Sequence, residues 1–272
     1  MPNRNVRRTM VIAAATVIVV VAVGVGFYAL GRSTVDKPPT TLPSSNGSPG
    51  TSGSSPAPRY EPSDQNGSPE PEVPRGDAVA GEGGSKTGPA QLPLGYAHDQ
   101  TGAVNAATNY LMWMNSLRIA DKGTADEMAA ATAADAHTRT AMVTSFDMLR
   151  SGVQDMTADQ PQPARGAYAV ASYSANRAVV YVWSPEVMTD GNGQTEHLWA
   201  IDAVALVWAA GDWKLDGALI AKTGAAAVDP ADPLGNPTAS EKHSILGRTP
   251  ADPGEITDTA VQSWFEYANA PH

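Results

Sequence analysis

The sequence predicts an α+β domain that follows a membrane anchor and a disordered linker. An uncharged apolar run occupies residues 10–31, and a stretch rich in Pro, Ser and Gly follows over 32–91. Residues 92–222 then change from helical to strand periodicity part-way along. These three observations predict three helices packed on one face of a curved antiparallel sheet of four or more strands.

The apolar run Met10–Leu30 is long enough, as a helix, to cross a bilayer. Three arginines within residues 1–9 place the N-terminus in the cytoplasm and the rest of the chain outside the plasma membrane. A cleaved signal peptide is the alternative, because Ala29–Gly31 resembles a cleavage site and cleavage would release a secreted protein. The run is longer than an ordinary signal-peptide core, which favours a retained, single-pass signal-anchor.

The linker 32–91 shows no apolar periodicity and has few residues that could form a core. Such a composition cannot bury enough surface to offset the entropy lost on ordering. We therefore expect a disordered stalk that spaces the domain from the membrane.

The first third of the domain is expected to be helical. Thr101 is placed to cap a helix with apolar residues at helical spacing, and Thr124 with Glu127 reads as a capping box for a second. A third helix is expected to begin at Asp135 and to end at Gly152.

Four runs rich in β-branched and aromatic residues follow, and short turn-forming segments separate them. The runs are Gly166–Tyr173, Ala178–Trp183, Leu198–Trp208 and Trp213–Ile220. Because the connections are short, consecutive strands are expected to be antiparallel neighbours.

Beyond the sheet, residues 223–256 are rich in Asp-Pro and predict an irregular surface segment. Residues 257–269 predict a short amphipathic helix whose apolar stripe contains Trp264, Phe265 and Tyr267. The stripe is expected to pack back on the domain; contact with a partner is the alternative.

The sequence shows no arrangement of residues that carries a reaction. There is no cysteine, and none of the five histidines is spaced as a ligand pair on one helix face, so no metal site is predicted. His197 and Asp202 have opposite parity on one strand and should point to opposite faces. We predict no catalytic or cofactor-binding residue and expect a protein that is not an enzyme.

Four aromatic residues of the domain are expected to belong to its core, and their alternative role is to line a pocket for a small hydrophobic ligand. They are Tyr110, Trp113, Trp199 and Trp208. The net charge of -10 argues against a nucleic-acid partner.

Trp199–Gly217, WAIDAVALVWAAGDWKLDG, reads as a long strand, a tight turn and a second strand beginning WK. It resembles the cone-shaped nuclear transport factor 2-like superfamily, whose long antiparallel strands often read W…G-x-W-K. With the anchor and linker, the resemblance narrows to the bitopic scaffold proteins of type IV secretion and conjugation machinery. Residues 92–111, LPLGYAHDQTGAVNAATNYL, also resemble the opening of an actinobacterial family of membrane proteins encoded near conjugation genes.

The resemblance covers about residues 92–222 and implies a scaffold that binds envelope proteins, or a second copy of itself, outside the cell. The same superfamily contains isomerases and dehydratases whose pockets carry Asp, Tyr or His. No residue here maps onto those roles. A cell-surface protein whose pocket binds or transforms a small hydrophobic ligand is therefore only the second hypothesis.

Overall fold

The computed structural model describes residues 73–217, 226–227, 235–246 and 264–271 of the chain. Within them, four α-helices pack on an antiparallel sheet, so the predicted α+β class is confirmed. The predicted membrane segment 10–31 lies outside these residues. No helix in the described part is both long enough and apolar enough to cross a bilayer.

Four antiparallel strands form the centre of the sheet. They are β4 (Ala167–Ser174), β5 (Arg177–Asp190), β6 (Thr195–Ala209) and β7 (Asp212–Leu215). Strands β5 and β6 make a long hairpin, in which pairing runs unbroken from Arg177 opposite Val207 to Thr189 opposite Thr195. The second strand was expected to end at Trp183, but it continues for seven more residues.

Shorter strands extend the sheet or lie beside it. They are β1 (Lys86–Thr87), β2 (Pro93–Leu94), β3 (Met156–Pro161), β8 (Ala226–Ala227) and β9 (Trp264–Phe265). Strand β3 pairs with the far half of β5, β8 pairs with β6, and β9 pairs with β4. Strands β1 and β2 pair only with each other among the described strands.

The helices are α1 (Gln100–Met114), α2 (Lys122–Thr132), α3 (Ala136–Val153) and α4 (Ala239–Leu246). An aspartate precedes each of the first three and accepts the backbone N–H three residues further on, which caps the helix. These caps are Asp99, Asp121 and Asp135. The third helix begins after Asp135 as expected but continues past Gly152 to Val153, so Gly152 is not its cap. Thr101 and Thr124 lie inside their helices because an aspartate shortly before each takes the cap position.

The buried carboxylate of Asp212 ties the start of α1 to the β6–β7 turn. Its oxygens accept the backbone N–H groups of Gly95 at 2.9 Å, Tyr96 at 3.0 Å and Trp213 at 3.0 Å. The ammonium of Lys214 lies 3.4 Å from the same carboxylate. A carboxylate can be buried when it has partners of this kind, and the contact fixes where α1 begins.

Further hydrogen bonds hold α1 to the sheet and to the C-terminal segment. The Tyr110 hydroxyl donates to the Trp213 carbonyl at 2.8 Å, and the Trp213 indole donates to the Ala97 carbonyl at 3.0 Å. The hydroxyls of Thr108 and Tyr267 lie 2.8 Å apart and are both buried. The helix is thus fixed to β7 at one point and to the end of the chain at another.

The predicted linker 32–91 is partly wrong, because its last part is folded on the domain. The Gly76 N–H donates to the Glu266 carbonyl at 2.8 Å, and the Ala268 N–H donates to the Ala78 carbonyl at 2.8 Å. Backbone hydrogen bonds to the C-terminal segment hold these residues in place, although their own sequence shows neither a strand nor a helix pattern. The linker before residue 73 lies outside the described residues.

The C-terminal region also differs from the sequence prediction. Trp264 and Phe265, expected within a helix over 257–269, form strand β9 against β4. A short apolar run does not distinguish helix from strand by periodicity, and here the open edge of β4 selects the strand. Helix α4 lies within 223–256, where no regular element was expected, and buries Leu246. Residues 257–263 lie outside the described part.

We predict that Asp212→Ala lowers the free energy of unfolding by about 3–5 kcal/mol, because buried backbone N–H groups lose their acceptor. Asp212→Asn keeps one acceptor oxygen and should cost less. Guanidinium unfolding followed by tryptophan fluorescence measures both. Asp126→Ala, which removes the largely exposed ion pair with Lys122, is the control and should cost less than about 1 kcal/mol. Equal losses for the two alanine variants would contradict the prediction.

Candidate functional site

An open groove of about 480 Å³ lies between the C-terminal half of α1 and strand β3. Its apolar lining includes Leu92, Met112 and Leu117, and Trp113 and Asp159 also line it. This size and this mixture of apolar walls with a few polar groups are typical of ligand-binding sites.

Two buried polar atoms of the lining residues have no hydrogen-bond partner among the described residues. They are Nε1 of Trp113, which is 1% exposed, and Oδ1 of Asp159, which is 7% exposed. Leaving a buried donor or acceptor unpaired costs about 1–3 kcal/mol, so such atoms require an explanation. Both atoms are enclosed by the protein itself, so they lie beneath the surface of the groove.

Asp159 belongs to a set of three carboxyl groups on one face of the sheet. It pairs with Met188 across β3 and β5, and Glu186 is two residues from Met188 on the same strand. Asp202 of β6 pairs with Val182, four residues from Glu186. Paired residues and residues two apart share a face, which places all three carboxyls on one side.

Burial raises the pKa of Asp159 above its ordinary value. A side-chain interaction with Glu186 lowers the pKa, but its effect is the smaller of the two. Burial, the charge of Asp159 and the charge of Asp202 together hold the pKa of Glu186 well above its usual range. Burial alone raises the pKa of Asp202 to about 7. Burial therefore favours the neutral form of each of the three carboxyls.

The three carboxyls are not grouped so as to hold a metal ion. No set of three His, Asp or Glu side chains within the described ranges has that arrangement. His197 and Asp202 are an odd number of positions apart on β6, so their side chains lie on opposite faces of the sheet, as the sequence predicts.

Of the four aromatic residues offered as pocket lining, only Trp113 borders the groove. Tyr110 is fully buried, with its hydroxyl on the Trp213 carbonyl. Trp208 stacks on the His98 ring at 3.8 Å near the β6–β7 turn, away from the groove.

Trp199 lies on the opposite face of the sheet from the three carboxyls, since it is an odd number of positions from Asp202 on β6. Its ring contacts Trp183 at 4.5 Å between centroids, and the Arg165 guanidinium lies 5.7 Å over it. Arg165 also donates to the Asn236 side chain at 2.8 Å. The four predicted residues therefore do not form one pocket.

The residues offered as partner contacts pack within the domain in the described structure. Trp264 and Tyr267 are buried, and Phe265 is partly buried against Tyr168, at 5.8 Å between ring centroids. Tyr267 also contacts the Tyr168 ring and meets Thr108 of α1. These contacts are those expected if the stripe covers the domain.

Sequence reasoning missed Asp159 and Glu186 for two reasons. Strand β3, MTADQP, has a single β-branched residue, Thr157, and ends in proline, so its sequence resembles that of a loop. Pro185 suggests that a strand ends, yet here β5 continues through it and places Glu186 on the sheet. The available signal was the pair of β-branched residues beyond Pro185, Val187 and Thr189.

We predict that Asp202→Asn removes a pH dependence of stability. Because the pKa of Asp202 is about 7 in the folded protein and about 4 in an unfolded chain, the folded state binds more protons between these values. The free energy of unfolding of the parent should therefore fall as pH rises from 4 to 7. The advantage of the variant over the parent should be about 1–4 kcal/mol larger at pH 8 than at pH 4.

Guanidinium unfolding at several pH values measures this difference. Glu127→Gln, which removes one exposed carboxylate from α2, controls for the change in net charge. Parallel stability curves for Asp202→Asn and its parent would refute the assignment.

Comparison with known proteins gives one match. No curated protein sequence matches the chain significantly, and no solved structure does. A sequence family described as Domain of unknown function (DUF8175) matches residues 35–235, which is more than half of the 272 residues. The chain therefore belongs to this family of domains of unknown function.

Proposed function

We propose that the protein is a membrane-anchored, extracytoplasmic scaffold domain that binds protein partners in an envelope assembly. A type IV secretion or conjugative transfer apparatus is the assembly that the sequence resemblance favours. In this proposal the apolar run 10–31 is the anchor, the N-terminus is cytoplasmic, and the folded domain lies outside the cell.

The observation that carries the proposal is the attachment of the linker to the domain. The Glu266 carbonyl accepts from the Gly76 N–H at 2.8 Å, and the Glu266 N–H donates to the Pro74 carbonyl at 2.9 Å. Ala80 exchanges hydrogen bonds with the Asn269 side chain, both at 3.0 Å. The C-terminal segment thus fastens residues 74–80, which in this proposal lead from the anchor to the domain.

The ion pairs at the same place support a firm attachment. The Lys242 ammonium of α4 contacts the Glu266 carboxylate, and Arg75 lies 3.8 Å from it. Lys242 is 5% exposed, so its charge is paired in a largely buried setting. Segments that are distant in sequence therefore meet at Glu266.

The topology can be tested because the chain has no cysteine of its own. Met148 on α3 is 47% exposed and accepts a single cysteine. We expect a membrane-impermeant maleimide to label Met148→Cys on intact cells and to label Asn5→Cys only after permeabilisation. The reverse pattern, or release of Met148→Cys from the membrane, would contradict the anchored topology.

Affinity purification of the full chain from membranes tests the scaffold role. Recovery of envelope proteins of a transfer apparatus is expected, and recovery of the monomer alone counts against the role. Cross-linking before lysis keeps weak contacts, and Glu266→Ala, which loosens the linker attachment, provides a comparison within the same fold.

A second candidate function is a cell-surface protein that binds a small hydrophobic ligand or transforms it by proton transfer. The observation that favours it is the groove beside Asp159, a buried carboxyl with a raised pKa, since such groups cluster at functional sites. Native mass spectrometry of the purified chain would show a bound small molecule. Leu117→Trp, which fills the groove, should abolish that adduct, whereas an unchanged adduct would place it elsewhere.

A further inference from the structure

We propose that residues 73–91 are a releasable reserve of the tether, which detaches under load and lengthens the connection to the anchor while the domain stays folded. The proposal rests on the anchored topology of the proposed function and names how that tether responds to tension. Three observations carry it: the low burial of the segment, the serial arrangement of its attachments, and the firm contacts of the chain on either side of them.

The segment 73–91 contributes little to the core of the domain. Of its nineteen residues only Val73 and Ala78 are buried, and strand β1 within it is exposed. In the turn between β1 and β2, Ala90 and Gln91 have φ of +48° and +63°, a left-handed conformation that is unfavourable for residues with a side chain. A segment with few buried apolar contacts and a strained turn is expected to open before the rest of its domain.

The attachments of the segment follow one another along the chain. Backbone hydrogen bonds join residues 74–76 to Glu266, and residues 78–80 are bonded to residues 268–269. Further along, Glu82 accepts hydrogen bonds from two asparagine side chains of α1. Once the bonds at Glu266 break, a load from the anchor passes to the next pair, so the segment can detach stepwise.

The C-terminal segment keeps its place on the core by contacts of its own. Trp264, Tyr267 and Ala270 are buried, and the hydroxyls of Tyr267 and Thr108 lie 2.8 Å apart. None of these contacts involves residues 73–91. Detachment of the reserve therefore leaves its binding surface intact, and the segment can bind again when the load is removed.

Detachment should end at Leu92, where the chain enters the core. Leu92 is fully buried, and the Asp212 carboxylate accepts the N–H groups of Gly95 and Tyr96 just beyond it. Pulling these residues away would leave a buried carboxylate without its donors, which costs more than losing exposed hydrogen bonds. The nineteen residues before Leu92 span about 65 Å when extended, at about 3.4 Å each, and this is the reach that the reserve adds.

The test is single-molecule force spectroscopy of the full chain in detergent micelles. Because the chain has no cysteine, Ser55→Cys in the linker and Met148→Cys on α3 give two unique sites for DNA handles. Handles at these sites load residues 73–91 and the domain in series, as an anchor and a partner bound to the domain would. We expect a first event that adds about 65 Å of contour length, reverses on relaxation and precedes unfolding of the domain.

Gly76→Ala weakens the attachment from the tether side. A methyl group at Gly76 would lie 2.0 Å from the Tyr168 hydroxyl oxygen, and Tyr168 is buried against other aromatic rings, so it does not move aside easily. The variant should make the first event about fivefold faster or more at a fixed force, or abolish it, and leave the unfolding force of the domain unchanged. Gly123→Ala on α2, where a methyl group approaches only the Asp121 side chain at 3.5 Å, is the matched control and should leave the first event unchanged.

Two further variants act at other points of the reserve. Glu266→Ala removes the ion pairs with Lys242 and Arg75 and should also accelerate the first event. Gln91→Gly relieves the left-handed strain of the turn and should slow the event. These opposite effects distinguish release of this segment from a general loss of stability.

Three results would overturn the proposal. A single event, in which segment and domain unfold together, would make residues 73–91 part of one cooperative unit. Equal rates of the first event in Gly76→Ala and its parent would place the early opening elsewhere, and a gain well above about 65 Å would mean that detachment does not stop at Leu92. Recovery of envelope proteins by affinity purification together with a single event would retain the scaffold function on a tether of fixed length. Release of the reserve without recovery of envelope proteins would instead count against the scaffold function alone.

Discussion

The hydrogen bonds to the Asp212 carboxylate are the constraint on which the arrangement of the domain depends. The carboxylate is nearly inaccessible to solvent, so its ionised form is stable only if nearby donors replace water. The backbone N–H groups of Gly95 and Tyr96 are such donors, and they come from the segment just before α1. Gly95 has φ of +73°, a left-handed conformation that glycine adopts without steric cost. The acceptor on β7 therefore sets the position from which α1 crosses the sheet.

Because the start of α1 is fixed, the positions of its later side chains are fixed too, and these side chains contact β7 and the C-terminal segment. The Tyr110 hydroxyl donates to the carbonyl of Trp213 on β7, the strand that carries Asp212. The hydroxyl of Thr108 is hydrogen-bonded to that of Tyr267 in the C-terminal segment. One further turn along, Trp113 reaches the region opposite β3, where no described backbone pairs with the sheet edge. The groove lies between the C-terminal half of this helix and the edge strand β3.

The sequence was informative wherever a local pattern decides the structure. The helix–strand order, the hairpin turns and the start of the third helix at Asp135 follow from local chemistry, and the α+β class follows from them. Elements that depend on distant partners were not predictable. The segment near Gly76 is ordered by the C-terminal strand almost two hundred residues away, and strand β3 exists because β5 extends beyond Pro185. Trp113 was identified as an aromatic candidate, but Asp159 could not be connected with it while β3 was unknown.

The three carboxyls on one face of the sheet depart from ordinary packing. Asp159 is a buried carboxyl with a raised pKa, and the pKa of the neighbouring Glu186 is raised as well. Apolar residues at these positions would make the sheet more stable, because no desolvation of a carboxyl would then oppose folding. A domain without disulfides depends on packing for its stability, so retaining three carboxyls on one face is a sizeable loss. Natural proteins tend to keep such losses where a site requires them, and the groove beside Asp159 is the place where the second candidate function would put one.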